Sequence, residues 1–193
     1  MRYSSNHKSE TRSNIVNIAS RLFKVNGTDA TGLAMIMKEA GLTNGAFYAH
    51  FESKEALIEA VIEQQLVDQL AQFKNELGGT DGIRRVIDIY LSEAHVVSCA
   101  EGCPSAALLG EISKRSKSTR EVYSTGLTSI IDELLGSLGS KSKDDKKVLL
   151  SIFGLLIGAL QLARTVTDEQ LVTEIIEGSR TSAHALLDML HSQ

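Results

Sequence analysis

Thr31–Lys54 reads TGLAMIMKEAGLTNGAFYAHFESK, and the punctuation of this stretch decides the fold. Leu33, Ile36, Met37 and Ala40 recur at helical spacing and give a short helix its inner face, with Thr31 as its expected cap. Gly41 ends that helix, and Thr43 caps the next almost at once, with Ala46, Phe47, Tyr48 and Phe51 beyond it. Two short helices around a tight glycine-bearing turn are a helix-turn-helix signature. Phe47 and Phe51 lie one turn apart and share a face, which points them inward. Asn44, Gly45, Ala46, Tyr48, Ala49 and His50 then look outward or sideways. A slim polar face of this kind can sink into the major groove of duplex DNA, where the N-terminal end of the helix meets base edges. Asn44 suits a base edge or a phosphate, Ala46 a thymine methyl, and the Tyr48 hydroxyl, His50 and Lys54 suit phosphates. Amides at the starts of both helices add further donors. The competing readings are a purely structural helical hairpin, a Tyr48 partly in the core, and His50 and Lys54 as ordinary surface residues.

Working outward, the pattern stays helical. Upstream, Ile15, Ile18, Ala19, Leu22 and Phe23 make one apolar stripe and predict a helix from about Glu10 to Val25, after a frayed polar start at 1–9. Asn26-Gly27 stops it. Downstream, Ser53 caps a long helix over 53–77 with Leu57, Val61, Leu66, Leu70 and Phe73 as apolar positions, ended by Gly78-Gly79. Further helices are expected near 81–98, 105–114, 118–138, 144–166 and 168–190, the last capped by Thr167. No alternating strand pattern appears, so the expectation is an all-α chain of about nine helices. Its domains would be a helix-turn-helix unit over 1–52 and a larger helical unit over 53–193.

The bulk numbers fit a soluble globular protein: 193 residues, 42% apolar, 23% charged and a net charge of -4. The charge is uneven. Residues 1–54 carry seven Lys/Arg against four Asp/Glu, so a basic head sits on an acidic body. A single proline, Pro104, leaves room for long helices. Two cysteines are too few for a disulfide framework, and the polar start MRYSSNHKSE lacks a signal-peptide core, so a cytoplasmic location is the default. Val148–Val166 approaches the length of a membrane span, but Ser151, Gln161, Arg164 and Thr165 interrupt it and it has no companion. It reads as a buried helix, and no membrane partner is expected.

Across about residues 11–61 the chain resembles the DNA-binding domain of the tetracycline-repressor (TetR/AcrR) family. The features that carry the resemblance are Thr11-Arg12, the Ala19-x-x-Leu22-Phe23 core, Gly27, Thr31, Ile36, Ala40-Gly41-Leu42-Thr43, the GAFYAHF run and Ser53-Lys54-Glu55. The resemblance implies a three-helix DNA-binding head joined by the 53–77 helix to an all-helical domain for ligand binding and dimerisation. It carries the DNA-contact role to Thr43, Asn44, Gly45, Ala46, Tyr48, His50 and Lys54, with Thr31 and Gly32 added at the start of the second helix. Two positions depart from the family's habit: Met37 stands where a small residue is usual, and Gly32 where Ser or Thr is frequent. The implied partners are double-stranded operator DNA, a small-molecule effector and a second copy of the chain. No cofactor or metal is implied.

In the body, a cavity is expected within 81–166, with Tyr90, His95, Cys99, Cys103, Tyr123, Phe153 and Arg164 as candidate lining residues. The segment GCPSAALLGEI resembles the part of some family members where a loop borders the ligand cavity. His95, Cys99 and Cys103 fall one turn apart; plain packing, redox or electrophile sensing, and a soft-metal site are the open readings. Tyr90, Tyr123 and Phe153 equally suit a plain core, and Arg164 suits either an acid across a dimer or a ligand carboxylate. Ile152, Leu156, Leu160, Ala183 and Leu187 are the expected dimer contacts, with Gly154 and Gly158 permitting close helix approach. An enzyme is disfavoured: no Ser-His-Asp order has local support, no glycine loop cradles a phosphate, and no metal-ligand spacing is fixed. A protein-only interaction module is the remaining alternative.

Overall fold

The computed structural model describes residues 3–77 and 81–190, with side chains from residue 7. Among the described residues there are ten helices and no strand. The head consists of α1 (Tyr3–Asn26), α2 (Leu33–Glu39) and α3 (Asn44–Phe47). The long α4 (Lys54–Glu76) leads out of it. The body contains α5 (Gly82–Tyr90), α6 (Glu93–Val97), α7 (Pro104–Ile112), α8 (Lys117–Ser137), α9 (Lys143–Thr165) and α10 (Glu169–Asp188).

Helix α1 begins earlier than its apolar stripe does, because the polar residues ahead of Glu10 include no glycine or proline to stop it. Gly27 then turns the chain with φ +85, a conformation that other residues resist. The Gly78-Gly79 stop falls outside the described residues.

The expected single helix over 81–98 is two helices, which accounts for ten rather than about nine. Leu91 leaves the helical region with ψ 57, and Ser92 starts a new turn. The Ser92 hydroxyl donates to the Ile89 carbonyl and accepts from the His95 amide, closing one helix and opening the next. Capping also corrects two expectations. Gly32, not Thr31, is the N-cap of α2, and Asp168, not Thr167, caps α10 by accepting from the Gln170 and Leu171 amides. Ser53 caps α4 as expected, accepting from the Ala56 amide.

One continuous apolar core runs from Ile15 and Phe47 in the head through Leu57, Ile62 and Leu66 of α4 to Ile130, Leu149 and Leu160 in the body. Helix α4 packs on both α1 and α8, with α8 alongside it from Glu55 to Lys74. Helix α9 has the length and composition of a membrane span, but it buries Leu149, Phe153, Leu156 and Leu160 against α6, α7, α8 and α10. Its apolarity therefore serves the core of this chain.

Candidate nucleic-acid interface and joint cavity

The α2–α3 unit is held from beneath. Met37 and Phe47 are fully buried and Phe51 nearly so, and the two phenylalanine rings stack with centroids 5.6 Å apart. Arg12 of α1 lies over the Phe51 ring at 4.7 Å, a cation–π contact that ties α1 to the same floor. Gly41 takes φ +68 in the turn between the helices, which keeps that turn tight. The regular part of α3 is short, but the chain keeps coiling: the amides of Ala49, His50 and Phe51 donate to Ala46 and Phe47 carbonyls. Met37 is a core residue, so its size is absorbed under the turn rather than on the surface.

Above this floor, Thr43, Asn44, Gly45 and Tyr48 are exposed. Tyr48 is 68% exposed and touches Phe47 only edge-on, so it is not a core ring. Ala46 is half-buried and packs partly against the core. Lys54 is half-buried, with Nζ 3.5 Å from the Asp29 carbonyl. His50 is half-buried, with its Nδ1 enclosed and lacking a partner among the described residues. Burial and the nearby cations of Lys8 and Arg12 hold its pKa below the ordinary histidine value, leaving it neutral at pH 7. That pairing exposes two basic residues the sequence reading had not placed: Lys8 and Arg12 of α1 stand beside the α3 surface. Thr31 is a correction. It is 0% exposed, and its hydroxyl donates to the Gly27 and Leu22 carbonyls, so it locks the α1–α2 loop and cannot reach DNA. Gly32 is exposed, with open space around it and no side-chain cap.

Behind the head, a cavity of about 580 Å³ lies where α1, α4, α5 and the α6–α7 connection meet. It is not confined to 81–166: Asn17, Ser20, Arg21 and Lys24 of α1 form one wall and Gln65, Gln69 and Gln72 of α4 another. Of the expected lining residues, Tyr90, His95 and Cys103 are present. The other four are not, each for a visible reason. The Cys99 thiol donates to the Lys24 carbonyl at 3.1 Å. The Tyr123 hydroxyl bonds Ser105 Oγ at 3.0 Å, and Phe153 is in the core behind Tyr90. Arg164 donates to the His95 and Val96 carbonyls at 2.6 and 3.0 Å, so it satisfies the end of α6 instead of a ligand.

His95 has both ring nitrogens engaged. Nδ1–H donates to the Tyr90 carbonyl at 2.8 Å, and Nε2 accepts from the Cys103 amide at 3.0 Å. Burial, aided by the Arg164 and Lys24 cations, lowers its pKa against the opposing pull of the Tyr90 carbonyl, and this keeps the ring neutral. A ring so occupied has no lone pair left for a metal, and among the described residues no three His, Cys, Asp or Glu side chains converge as a ligand set. Burial likewise pushes the Tyr90 phenol well up and pulls the Lys24 ammonium down, the latter against the pull of the Glu101 carboxylate.

An ionic clamp closes the joint on the α7 side. The Thr28 amide donates to a Glu111 carboxylate oxygen at 2.7 Å, and the Thr28 hydroxyl bonds the same oxygen. Arg115 bonds Thr28 and Asp29 of the α1–α2 loop and reaches Glu55 of α4 at 3.7 Å. A side chain at Gly27 would place its Cβ 2.7 Å from Glu111 Oε1, so the Glu111 carboxylate would have to shift from the clamp, on top of the backbone strain at φ +85.

The expected dimer residues are another correction. Ile152, Leu156, Leu160, Ala183 and Leu187 are all buried within one chain, where α9 and α10 pack together. The outward faces of these helices carry Leu150, Gly154 and Leu162 on α9, and Leu171 and Gly178 on α10, with Met189 exposed as its C-cap. Among the described residues, nothing beyond the backbone of the same helix and the adjoining residues lies within 4 Å of a Cβ built at Gly154 or Gly158.

Residues 15–61 match the family described as bacterial regulatory proteins, tetR family. The chain is 34% identical over 84 residues to the HTH-type transcriptional regulator YvdT of Bacillus subtilis, covering 44% of this chain and 43% of YvdT, so that likeness spans less than half of either protein. It is 28% identical over 167 residues to the regulator LmrA of Bacillus subtilis, covering 81% of this chain and 87% of LmrA. The fold matches the reduced form of Escherichia coli NemR with a TM-score of 0.78 at 22% identity, over 90% of this chain and 95% of that one. Helix-turn-helix geometry and family match agree on residues 15–61, which carry the DNA-binding domain of the tetR family of bacterial regulatory proteins, and the whole-chain fold is that of solved regulators of this kind.

Proposed function

We propose that the protein is a cytoplasmic homodimeric repressor that grips a palindromic operator with two heads and releases it when a small molecule enters the joint cavity. The observation that carries this is the α3 surface: Thr43, Asn44, Gly45 and Tyr48 exposed together above two stacked phenylalanines. In this reading Asn44, Gly45 and Ala46 meet base edges, and Tyr48, His50, Lys54, Lys8 and Arg12 meet phosphates. The unpartnered faces of α9 and α10, with Leu150, Leu162, Leu171 and Met189 exposed, support pairing with a second copy. A two-fold pair would set two α3 surfaces about 34–36 Å apart, one DNA turn. The effector need only favour the arrangement that does not fit DNA. Catalysis and cofactors have no part in this reading.

The test is a gel shift with the DNA upstream of the protein's own operon. The wild type binds at low salt and loses affinity steeply as salt rises, as phosphate contacts demand. Replacing Asn44, Tyr48 and Lys54 together by alanine abolishes the shift and leaves the dimer intact in gel filtration. Unchanged affinity in that variant would support a protein-interaction module instead, and no shift by the wild type at low salt would reject the DNA reading.

A further inference from the structure

We infer that the joint cavity binds a small organic monoanion, a carboxylate on an apolar frame, with Lys24 of the head as its counter-charge. This rests on the effector reading above and specifies the effector's chemistry.

Lys24 is only 7% exposed, yet its Nζ meets neutral acceptors: Gln65 Oε1 at 2.9 Å and the Gly102 carbonyl at 3.1 Å. Among the described residues no carboxylate forms an ion pair with it, although Glu101 lies close enough to favour its charge. A buried ammonium with three protons and two neutral acceptors has one donor to spare. Two further polar groups stand in the same wall. Ser20 Oγ, one turn before Lys24 on α1, is shielded from solvent and lacks a partner among the described residues, and Tyr90 Oη of α5 is likewise shielded, with only the weakly bonding Cys103 thiol beside it. Each residue is 2% exposed. A carboxylate offers several acceptor positions and no donor, which is what an ammonium and two hydroxyls need.

The remaining surface sets the rest of the ligand. Phe73, Val86 and Pro104 supply an apolar wall, and the volume is that of a site for a drug-sized molecule. Asp68, Glu76 and Glu101 stand at the cavity as well. Glu76 lies 4.0 Å from Arg85 and Asp68 accepts from Gln64, while Glu101 is exposed. Those carboxylates would repel a second negative charge, so a monoanion fits and a dianion does not.

The test is titration calorimetry on the full chain without DNA, using decanoate and 2-naphthoate as probes, and 1-decanol and decylammonium as controls below micelle concentration. A carboxylate probe binds at least about tenfold more tightly than decanol, and decylammonium binds most weakly. Lys24→Met loses that roughly tenfold preference. Glu101→Gln, an exposed position that leaves the fold untouched, tightens carboxylate binding several-fold. Equal binding of acid and alcohol by the wild type, no binding of either carboxylate, or a folded Lys24→Met with undiminished affinity would overturn the proposal. If Lys24→Met does not fold, the wild-type preference and Glu101→Gln decide. A parallel gel shift separates the two readings. Lys24-dependent binding that leaves the DNA complex intact keeps the anion site and removes effector release. Release by a neutral compound alone does the reverse.

Discussion

At the tip of the head, Asn44, Gly45 and Tyr48 stand in solvent on a floor of stacked rings; at the joint, Ser20, Lys24 and Gln69 are shut away from water around a hollow. The tip keeps polar groups outside and apolar groups beneath, so its shape is fixed by packing that tolerates little change. The joint holds polar groups inside, and its two sides are linked by the Thr28–Glu111–Arg115–Glu55 clamp. Polar links of that kind have alternative partners, and a bound molecule can exchange them. The difference teaches where rigidity and adjustability reside: one surface is suited to recognise, the other to respond.

Four changes would break or sharpen that contrast. The largest effect is expected from Phe47→Ala, which empties the floor under the tip. A buried phenylalanine removed in this way costs about 3–5 kcal/mol. Calorimetry should show a strongly lowered melting temperature and gel shifts should show no DNA binding; a small shift would mean the floor is not what holds the tip. Next is Glu111→Ala, which strips the partner from the buried Thr28 amide and takes one carboxylate away from Arg115. Stability should fall by about 1–3 kcal/mol. DNA binding should survive in gel shifts while its response to ligand weakens, and an intact response would remove the clamp from the mechanism.

The third change is acidification. His95 is held neutral below its ordinary pKa, so the unfolded chain takes up the proton first as pH falls past about 6.5. Its contribution is complete above that pH and is lost progressively below it, because a proton on Nε2 would face the Cys103 amide. Melting temperature should drop between pH 7.5 and 5.5, and His95→Gln should flatten the drop more than His50→Gln does. The smallest effect is expected from Gly32→Ser. The N-cap geometry is extended, the space is open, and the hydroxyl should add a few tenths of a kcal/mol of helix stability. A destabilised variant would show that the start of α2 needs glycine for a reason other than conformation.

The tip was legible from sequence because everything that defines it lies within one short stretch: the Phe47–Phe51 spacing, Gly41 and the small residues between. The joint was not, because its walls come from distant segments and use residues that look solvated. Ser20 and Lys24 read as the polar edge of α1, and Gln65, Gln69 and Gln72 as the polar face of α4. The available signal was that these two edges repeat at helical spacing on helices whose apolar stripes must meet, which sets them side by side. The dimer contacts failed for the opposite reason. The most apolar positions of α9 and α10, such as Leu160 and Leu187, are those the chain needs for itself, and the outward stripe of Leu150, Gly154 and Met189 is weaker in pattern. Arg164 in an apolar run signalled a partner correctly, but two backbone carbonyls supply it.

Helix α1 belongs to both regions: Arg12 near its start braces the α3 floor, and Lys24 near its end walls the hollow. About 18 Å of one stiff rod separates them. The chain is therefore less modular than its domain plan implies. A chimera joined at residue 52 would transplant the α1 wall of the cavity along with the head, so if the cavity takes the effector, DNA preference and chemical preference could not be traded separately between relatives.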